Sequence, residues 1–172
     1  SDRNDFIKLW QGYCPDEIKI YPCQLLENAD LYAYWQRGEY HPYTTEELVQ
    51  LIADVKLSIP AYCRVNRVIR DIPSTHVVEG NRRTSLRQDA LAELAARGQS
   101  CGCIRCREVR GDKVDTDTLS LDDLVYPAAY AEEHFLHYRT PEGRIAGYLR
   151  LSLPQAGAPE VGLPDLTGAA LI

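Results

Sequence analysis

Gln99-Ser100-Cys101-Gly102-Cys103-Ile104-Arg105-Cys106-Arg107-Glu108-Val109 divides the chain into two textures. Three thiols stand within six residues, directly behind an Ala-rich stretch that ends at Gly98. Cys-x-Cys-x2-Cys can wrap one soft cation, because three thiolates need only short loops to converge and Gly102 lets the backbone turn. A structural zinc held by Cys101, Cys103 and Cys106 is the expected occupant. The alternatives are an iron–sulfur cluster on the same thiols, which Cys-rich loops also hold, and three ordinary reduced cysteines, although free Cys usually sits singly in apolar segments and not among arginines. A disulfide scaffold fits less well, since six Cys in 172 residues accompany elements able to bury a core unaided. A tetrahedral site needs a fourth ligand. Cys63 and His76 can be named for it, and water or another residue stays open. Cys14 and Cys23 are too isolated to form a site.

Upstream of this stretch the pattern is that of strands and helices in alternation. Residues 1–13 read as a short helix with Phe6, Leu9 and Trp10 on one face, and Ile18 to Pro22 as a strand closed by a proline that cannot continue a ladder. Asn28 to Gly38 reads as a helix with Asn28 as its cap. Thr44-Thr45-Glu46-Glu47 opens another, along which Leu48, Leu51, Ile52, Val55 and Ile59 follow at helical spacing. From Cys63 to Asp71 the residues alternate, with Val65, Arg67 and Ile69 expected on one face. Thr84 to Arg97 is an amphipathic helix stopped by Gly98, its buried stripe Leu86, Ala90, Leu91 and Leu94. Strand, helix, strand, helix is the grammar of a parallel β/α unit, so the fold class is α/β. The tyrosines and tryptophan between Leu31 and Tyr43 form either a base-stacking platform or core and rim packing.

Downstream, Val109 to Asp123 is rich in Asp and Thr and reads as a linker. Leu124–Tyr130, Glu132–Arg139 and Ile145–Leu153 then read as antiparallel strands, the last two joined by the turn Thr140-Pro141-Glu142-Gly143. His134 and His137 are an odd number of residues apart on one strand, so they face opposite ways and offer no paired site. No catalytic residue is assignable from this chain.

The net charge is −6, which taken alone speaks against a nucleic-acid partner. The distribution says otherwise. Between Arg64 and Arg110 there are ten Arg, no Lys and five Asp or Glu, a segment of +5, which leaves −11 for the remainder. A basic island of this kind is an electrostatic footprint for phosphate, and arginine's planar fork suits phosphate geometry. Some of these arginines are expected to pair instead with Asp71, Glu79, Asp89 or Glu93. No apolar run approaches the roughly 20 residues of a membrane span, and no signal-peptide pattern opens the chain, so a reducing, cytoplasmic location without membrane contact is expected.

Cys101 to Val109, together with Ile18-Lys19-Ile20-Tyr21-Pro22 and the run from Arg64 to Pro73, resembles the catalytic subunit of Elongator. In that family of tRNA wobble-uridine acetyltransferases, a radical-SAM domain is fused to a GNAT-type acetyltransferase domain. The resemblance implies three parts: residues 1–98 as the C-terminal part of an incomplete radical-SAM β/α barrel, 99–110 as a zinc loop, and 111–172 as a linker and the start of the acetyltransferase domain. His134 to Arg139, the following turn and Gly147 to Leu151 resemble the early strands of a GNAT fold. The parent activity it implies is carboxymethylation of the wobble uridine of tRNA with acetyl-CoA and S-adenosylmethionine. The 4Fe-4S cysteine loop would lie upstream of the motifs seen here and the acetyl-CoA loop beyond Ile172. Within this chain the expected contributions are the zinc site and a tRNA-facing surface of Arg64, Arg70, Arg82, Arg83 and Arg87, alongside other domains or chains of the same enzyme. The alternative function is a zinc-stabilised RNA-binding module that catalyses nothing.

Overall fold

The computed structural model describes residues 1–70, 72–159 and 169–172. In chain order its elements are α1 (Asp2–Lys8), continued by a π turn over Leu9–Tyr13, then β1 (Glu17–Lys19), β2 (Leu25–Leu26), α2 (Leu31–Gln36) and α3 (Thr45–Leu57). Next come β3 (Arg64–Arg67), β4 (Val77–Glu79), α4 (Leu86–Ala96) and α5 (Ile104–Arg107), and last β5 (Ser120–Pro127), β6 (Ala131–Arg139) and β7 (Ile145–Pro154).

Thr44 fixes the start of α3. Its hydroxyl accepts the Glu47 N–H at 3.2 Å while the Glu47 carboxylate accepts the Thr44 N–H at 2.8 Å, the reciprocal box written in the sequence. α2 begins later than Asn28 suggested: Asn28 lies in a turn and Asp30 occupies the cap position. Gly98 ends the α4 region as expected, in the left-handed conformation at φ +68° that glycine adopts without strain.

β1 and β3 pair in parallel, which requires the intervening chain to cross over, and this crossover carries α2 and α3. β2 pairs antiparallel with β4, and β5, β6 and β7 form an antiparallel meander in sequence order. The pair β2/β4 has no counterpart in the sequence reading, because two- and three-residue strands carry no periodicity. β5 starts at Ser120, four residues before the expected strand. Along β3 the alternation breaks. Ile18 opposes Val65 and Lys19 opposes Arg67, so Asn66 is an extra residue in a bulge. The buried positions are consequently Val65 and Val68, while Arg67 is exposed and does not share the apolar face. Asp71, the last residue of that expected strand and one of the anticipated ion-pair partners, lies outside the described residues.

One hydrophobic cluster runs through both halves. Ile52 from α3, Val65 from β3, Leu86 and Leu94 from α4, and Ile104 from α5 meet Tyr126, Phe135 and Ile145 of the three-stranded sheet. Cys103, Ile104 and Phe135 are all fully buried, so the cysteine stretch is packed at the seam and is not a surface loop. No described helix is long and apolar enough to cross a membrane.

Candidate metal centre and the arginine-rich segment

Four sets of contacts position the cysteine stretch. The chain leaves α4 at Gly98, where the Gln99 N–H reaches back to Leu94 O at 2.8 Å. Cys103 then caps α5, and its carbonyl accepts the Cys106 N–H at 3.1 Å, which returns the third thiol toward the first two. The Ile104 N–H donates to Cys63 O at 3.0 Å and so ties the turn to the start of β3. Arg107 completes the fold of the loop, its guanidinium donating to Gly102 O at 2.8 Å and to Ala61 O.

The result is convergence. The sulfurs of Cys101, Cys103 and Cys106 lie within 4.8 Å of one another, the first two residues buried and the third half-buried. A tetrahedral zinc with Zn–S of about 2.3 Å sets its sulfurs about 3.8 Å apart, so this donor set fits a soft tetrahedral cation after side-chain adjustment alone. The thiols already interact: the nearby Cys101 and then Cys106 pull the Cys103 thiol well below the ordinary thiol range. The same contacts, with burial, push Cys106 up, and the bond to Cys103 raises Cys101. An arrangement that concentrates negative charge on one sulfur is what a thiophilic cation exploits.

Neither candidate for a fourth ligand joins the group. Cys63 is fully buried, its thiol pushed up to about 12 by burial, and its nearest hydrogen-bond acceptor is Arg64 O at 3.9 Å. His76 sits in the short helical turn before β4. The residue that does approach the thiols is Lys56, whose Nζ lies 3.7 Å from the Cys106 sulfur. It is not among the residues singled out from sequence. Yet Lys56 stands four residues after Ile52 and eight after Leu48 on the buried face of α3, and a lysine on that stripe is the signal that was available.

The arginines of the basic segment divide by exposure. Arg64 is half-buried in an ion pair with Glu108, which also pairs with Arg105 at 3.1 Å. Arg87 donates to Val65 O and Asn66 O, both at 3.0 Å, across the bulge of β3, and burial lowers its affinity for protons. Arg82 is exposed and folds back on Val77 O and Val78 O, while Arg83 is exposed and pairs with Asp89 at 3.1 Å. Arg70 is exposed, and among the described residues its guanidinium has no partner. The anticipated pairing with Asp89 is thus present, and Glu93 is taken by Arg97 at 2.8 Å.

The aromatic group is dispersed: Tyr32 stacks on Trp35, Tyr34 lies under Arg37, and Tyr43 donates to Asp2. His134 and His137 face opposite sides of β6, the first on Asp123 at 2.8 Å and the second buried against the Phe135 ring.

Comparison with known proteins agrees with these features. A family profile for the radical-SAM C-terminal domain matches residues 15–96. The chain is 39% identical over 153 residues to the tRNA uridine(34) acetyltransferase of Dehalococcoides mccartyi, covering 87% of this chain and 33% of that protein. It is 37% identical over 157 residues to human Elongator complex protein 3, covering 87% of this chain and 29% of that protein. A solved structure of Elp3 from the archaeon Methanocaldococcus infernus, with an N-terminal deletion, superposes with a TM-score of 0.84 at 32% identity, covering 95% of this chain and 40% of that one. The chain spans about a third of the length of the curated relatives it matches. Similar over most of its length in sequence and over nearly all of it in fold, the chain belongs to the family of the tRNA uridine(34) acetyltransferases and Elongator complex protein 3.

Proposed function

We propose that this chain is the central part of a tRNA uridine(34) acetyltransferase. Residues 1–98 would supply the last β/α units of the radical-SAM barrel, 99–110 a structural zinc loop, and 111–172 a linker with the first strands of a GNAT-type acetyltransferase domain. The observation that carries the reading is the convergence of Cys101, Cys103 and Cys106 at the seam between the parallel β/α part and the antiparallel sheet. A metal there would hold α5 closed and so anchor the starts of β3 and β7 through Ile104 and Val109, whose N–H groups bond Cys63 O and Ile145 O. The relatives' names supply the substrate and the reaction class: tRNA, modified at uridine 34 by an acetyltransferase.

The parent protein would carboxymethylate that uridine in the cytoplasm with acetyl-CoA and S-adenosylmethionine, the 4Fe-4S cluster and the acetyl-CoA loop residing in its other parts. In this chain Arg70, Arg82 and Arg83 would meet tRNA phosphates directly, being exposed. Arg64 and Arg87 add charge from half-buried positions behind them. Each phosphate contact displaces condensed counterions, so affinity for tRNA should fall with salt, and Arg82→Ala/Arg83→Ala should flatten the log–log slope by about 0.7 to 0.9 for each phosphate no longer neutralised. Lys113→Ala, an exposed charge beyond the cysteine stretch, is the control. An unchanged slope in the double variant with unchanged thermal stability removes this surface from tRNA recognition.

A further inference from the structure

Lys56 is wholly buried, and among the described residues no carboxylate pairs with it. The neighbouring acid of α3, Asp54, is held by Arg3 and Arg97 on the surface. An ammonium taken out of water is costly unless a counter-charge and hydrogen-bond acceptors replace the solvent. The polar atom that Nζ reaches is the Cys106 sulfur, at 3.7 Å, within the range of an N–H···S bond. Its position on α3 explains how it arrives there. The stripe of Leu48 and Ile52 points the helix face into the core, and Lys56 continues it by one turn, so its stem is packed among apolar side chains and its end emerges at the thiols.

We propose that Lys56 is the outer-sphere counter-charge of the three-thiolate centre, its ammonium donating to the Cys106 sulfur; this rests on the reading of Cys101, Cys103 and Cys106 as a metal site. Three thiolates around a divalent cation leave one net negative charge in a buried place, and one ammonium cancels it. The hydrogen bond also draws electron density from the Cys106 sulfur and lowers its nucleophilicity. Cys106 is the least buried of the three. Exposure alone would therefore make it the first to react with an electrophile, and the lysine predicts the reverse.

The test uses the full chain in its zinc-loaded form. Lys56→Met keeps the stem and removes the charge, and loss of an outer-shell partner should weaken zinc about 10- to 100-fold in competition with a chromophoric chelator. In the unaltered chain, iodoacetamide followed by mass spectrometry should find Cys106 alkylated more slowly than Cys101 and Cys103. In Lys56→Met it should become the fastest. Cobalt substitution supplies the control for direct ligation, since an outer-sphere lysine leaves the ligand-field bands where they were. Zinc at unit stoichiometry with unchanged affinity in Lys56→Met overturns the counter-charge and leaves the metal reading intact. Cobalt bands that shift in the variant overturn it in favour of Lys56 as the fourth ligand. An unaltered chain that takes up neither zinc nor cobalt overturns both. Should Lys56→Met fail to fold, the order of alkylation in the unaltered chain decides alone, and Cys106 reacting first refutes the proposal.

Discussion

Arg150 of β7 is the side chain that fastens the three-stranded sheet to the β/α part, and its removal makes a quantitative prediction. Its guanidinium donates to the Asp16 carboxylate at 2.8 Å and to the Tyr126 hydroxyl at 3.0 Å. It also donates to Asp16 O at 3.1 Å and to Tyr62 O at 2.7 Å, and it lies 5.3 Å from the centroid of the buried Phe135 ring. The contacts are mutually dependent. Tyr126 stacks on Tyr62 with centroids 3.6 Å apart, and its hydroxyl donates to the same Asp16 oxygen at 2.6 Å. In Arg150→Ala the two carbonyls lose charged donors, at about 1 kcal/mol each. The pair with Asp16, whose side chain is 52% exposed, contributes about 0.5 kcal/mol after screening. The ring contact adds about 0.5 kcal/mol. The expected loss is therefore about 3 kcal/mol, read as a fall of about 1–2 M in the urea midpoint at unchanged slope. Asp16→Asn should couple to it, the double variant costing less than the sum of the singles. The Arg139–Asp122 pair, which lies on the surface, provides the contrast, and Arg139→Ala should leave the midpoint in place. A loss below about 1 kcal/mol in Arg150→Ala, or strict additivity with Asp16→Asn, would refute the clasp.

Three further outcomes are expected. Cys103→Ser, which removes the fully buried thiol at the cap of α5, should lower both zinc content and stability, and full occupancy in that variant would exclude the metal site. Limited proteolysis should cut first between Val109 and Asp123, ahead of any site within Thr84 to Arg97; early cleavage inside α4 would contradict the proposed division. His134 is raised above its ordinary value of about 6.5 by the hydrogen bond to Asp123, partly opposed by desolvation, so it holds its proton more tightly folded than unfolded. Its contribution is then fully present below about pH 6 and fades as pH rises through the raised value. Asp123→Asn should remove that dependence, and a stability profile flat from pH 6 to 8 in the unaltered chain would show the bond to be idle.

What the sequence disclosed were features written in local spacing. The capping box of Thr44 and Glu47 and the left-handed Gly98 are each specified within a turn of chain, and the three thiols converge because the short turn of α5 returns Cys106 toward Cys101 and Cys103. What it concealed depended on partners far along the chain. The bulge at Asn66 arises from the pairing of β3 with β1, whose partner residues lie 47 or 48 positions upstream, and it moved the apolar face from Arg67 to Val68. Lys56 stayed hidden for a related reason: helical periodicity counts a lysine as solvent-facing, and only the approach of Cys106, 50 residues away in sequence, gives its charge a buried partner.

The arginines show most plainly how a side chain suited to phosphate, as Arg82 and Arg87 are in the sequence reading, can serve the fold instead. Arg82, Arg87, Arg107, Arg144 and Arg150 each donate to two backbone carbonyls: Val77 and Val78, Val65 and Asn66, Gly102 and Ala61, Glu108 and Val109, Asp16 and Tyr62. The reason lies in the shortness of the elements. β1 to β4 span two to four residues each, and α5 is a single turn, so much of the backbone at the seam finds no ladder or helix partner. Carbonyls partly shielded from water and left without donors would cost stability. A guanidinium satisfies two at once with a rigid fork, which a lysine's single ammonium does not match. Sequence charge therefore overstates what this segment offers to a phosphate ligand. The field of +5 remains, but several of its exposed guanidinia are already engaged: Arg83 would have to leave Asp89, and Arg82 its bonds to β4, before gripping phosphate, whereas Arg70 makes no such contact among the described residues.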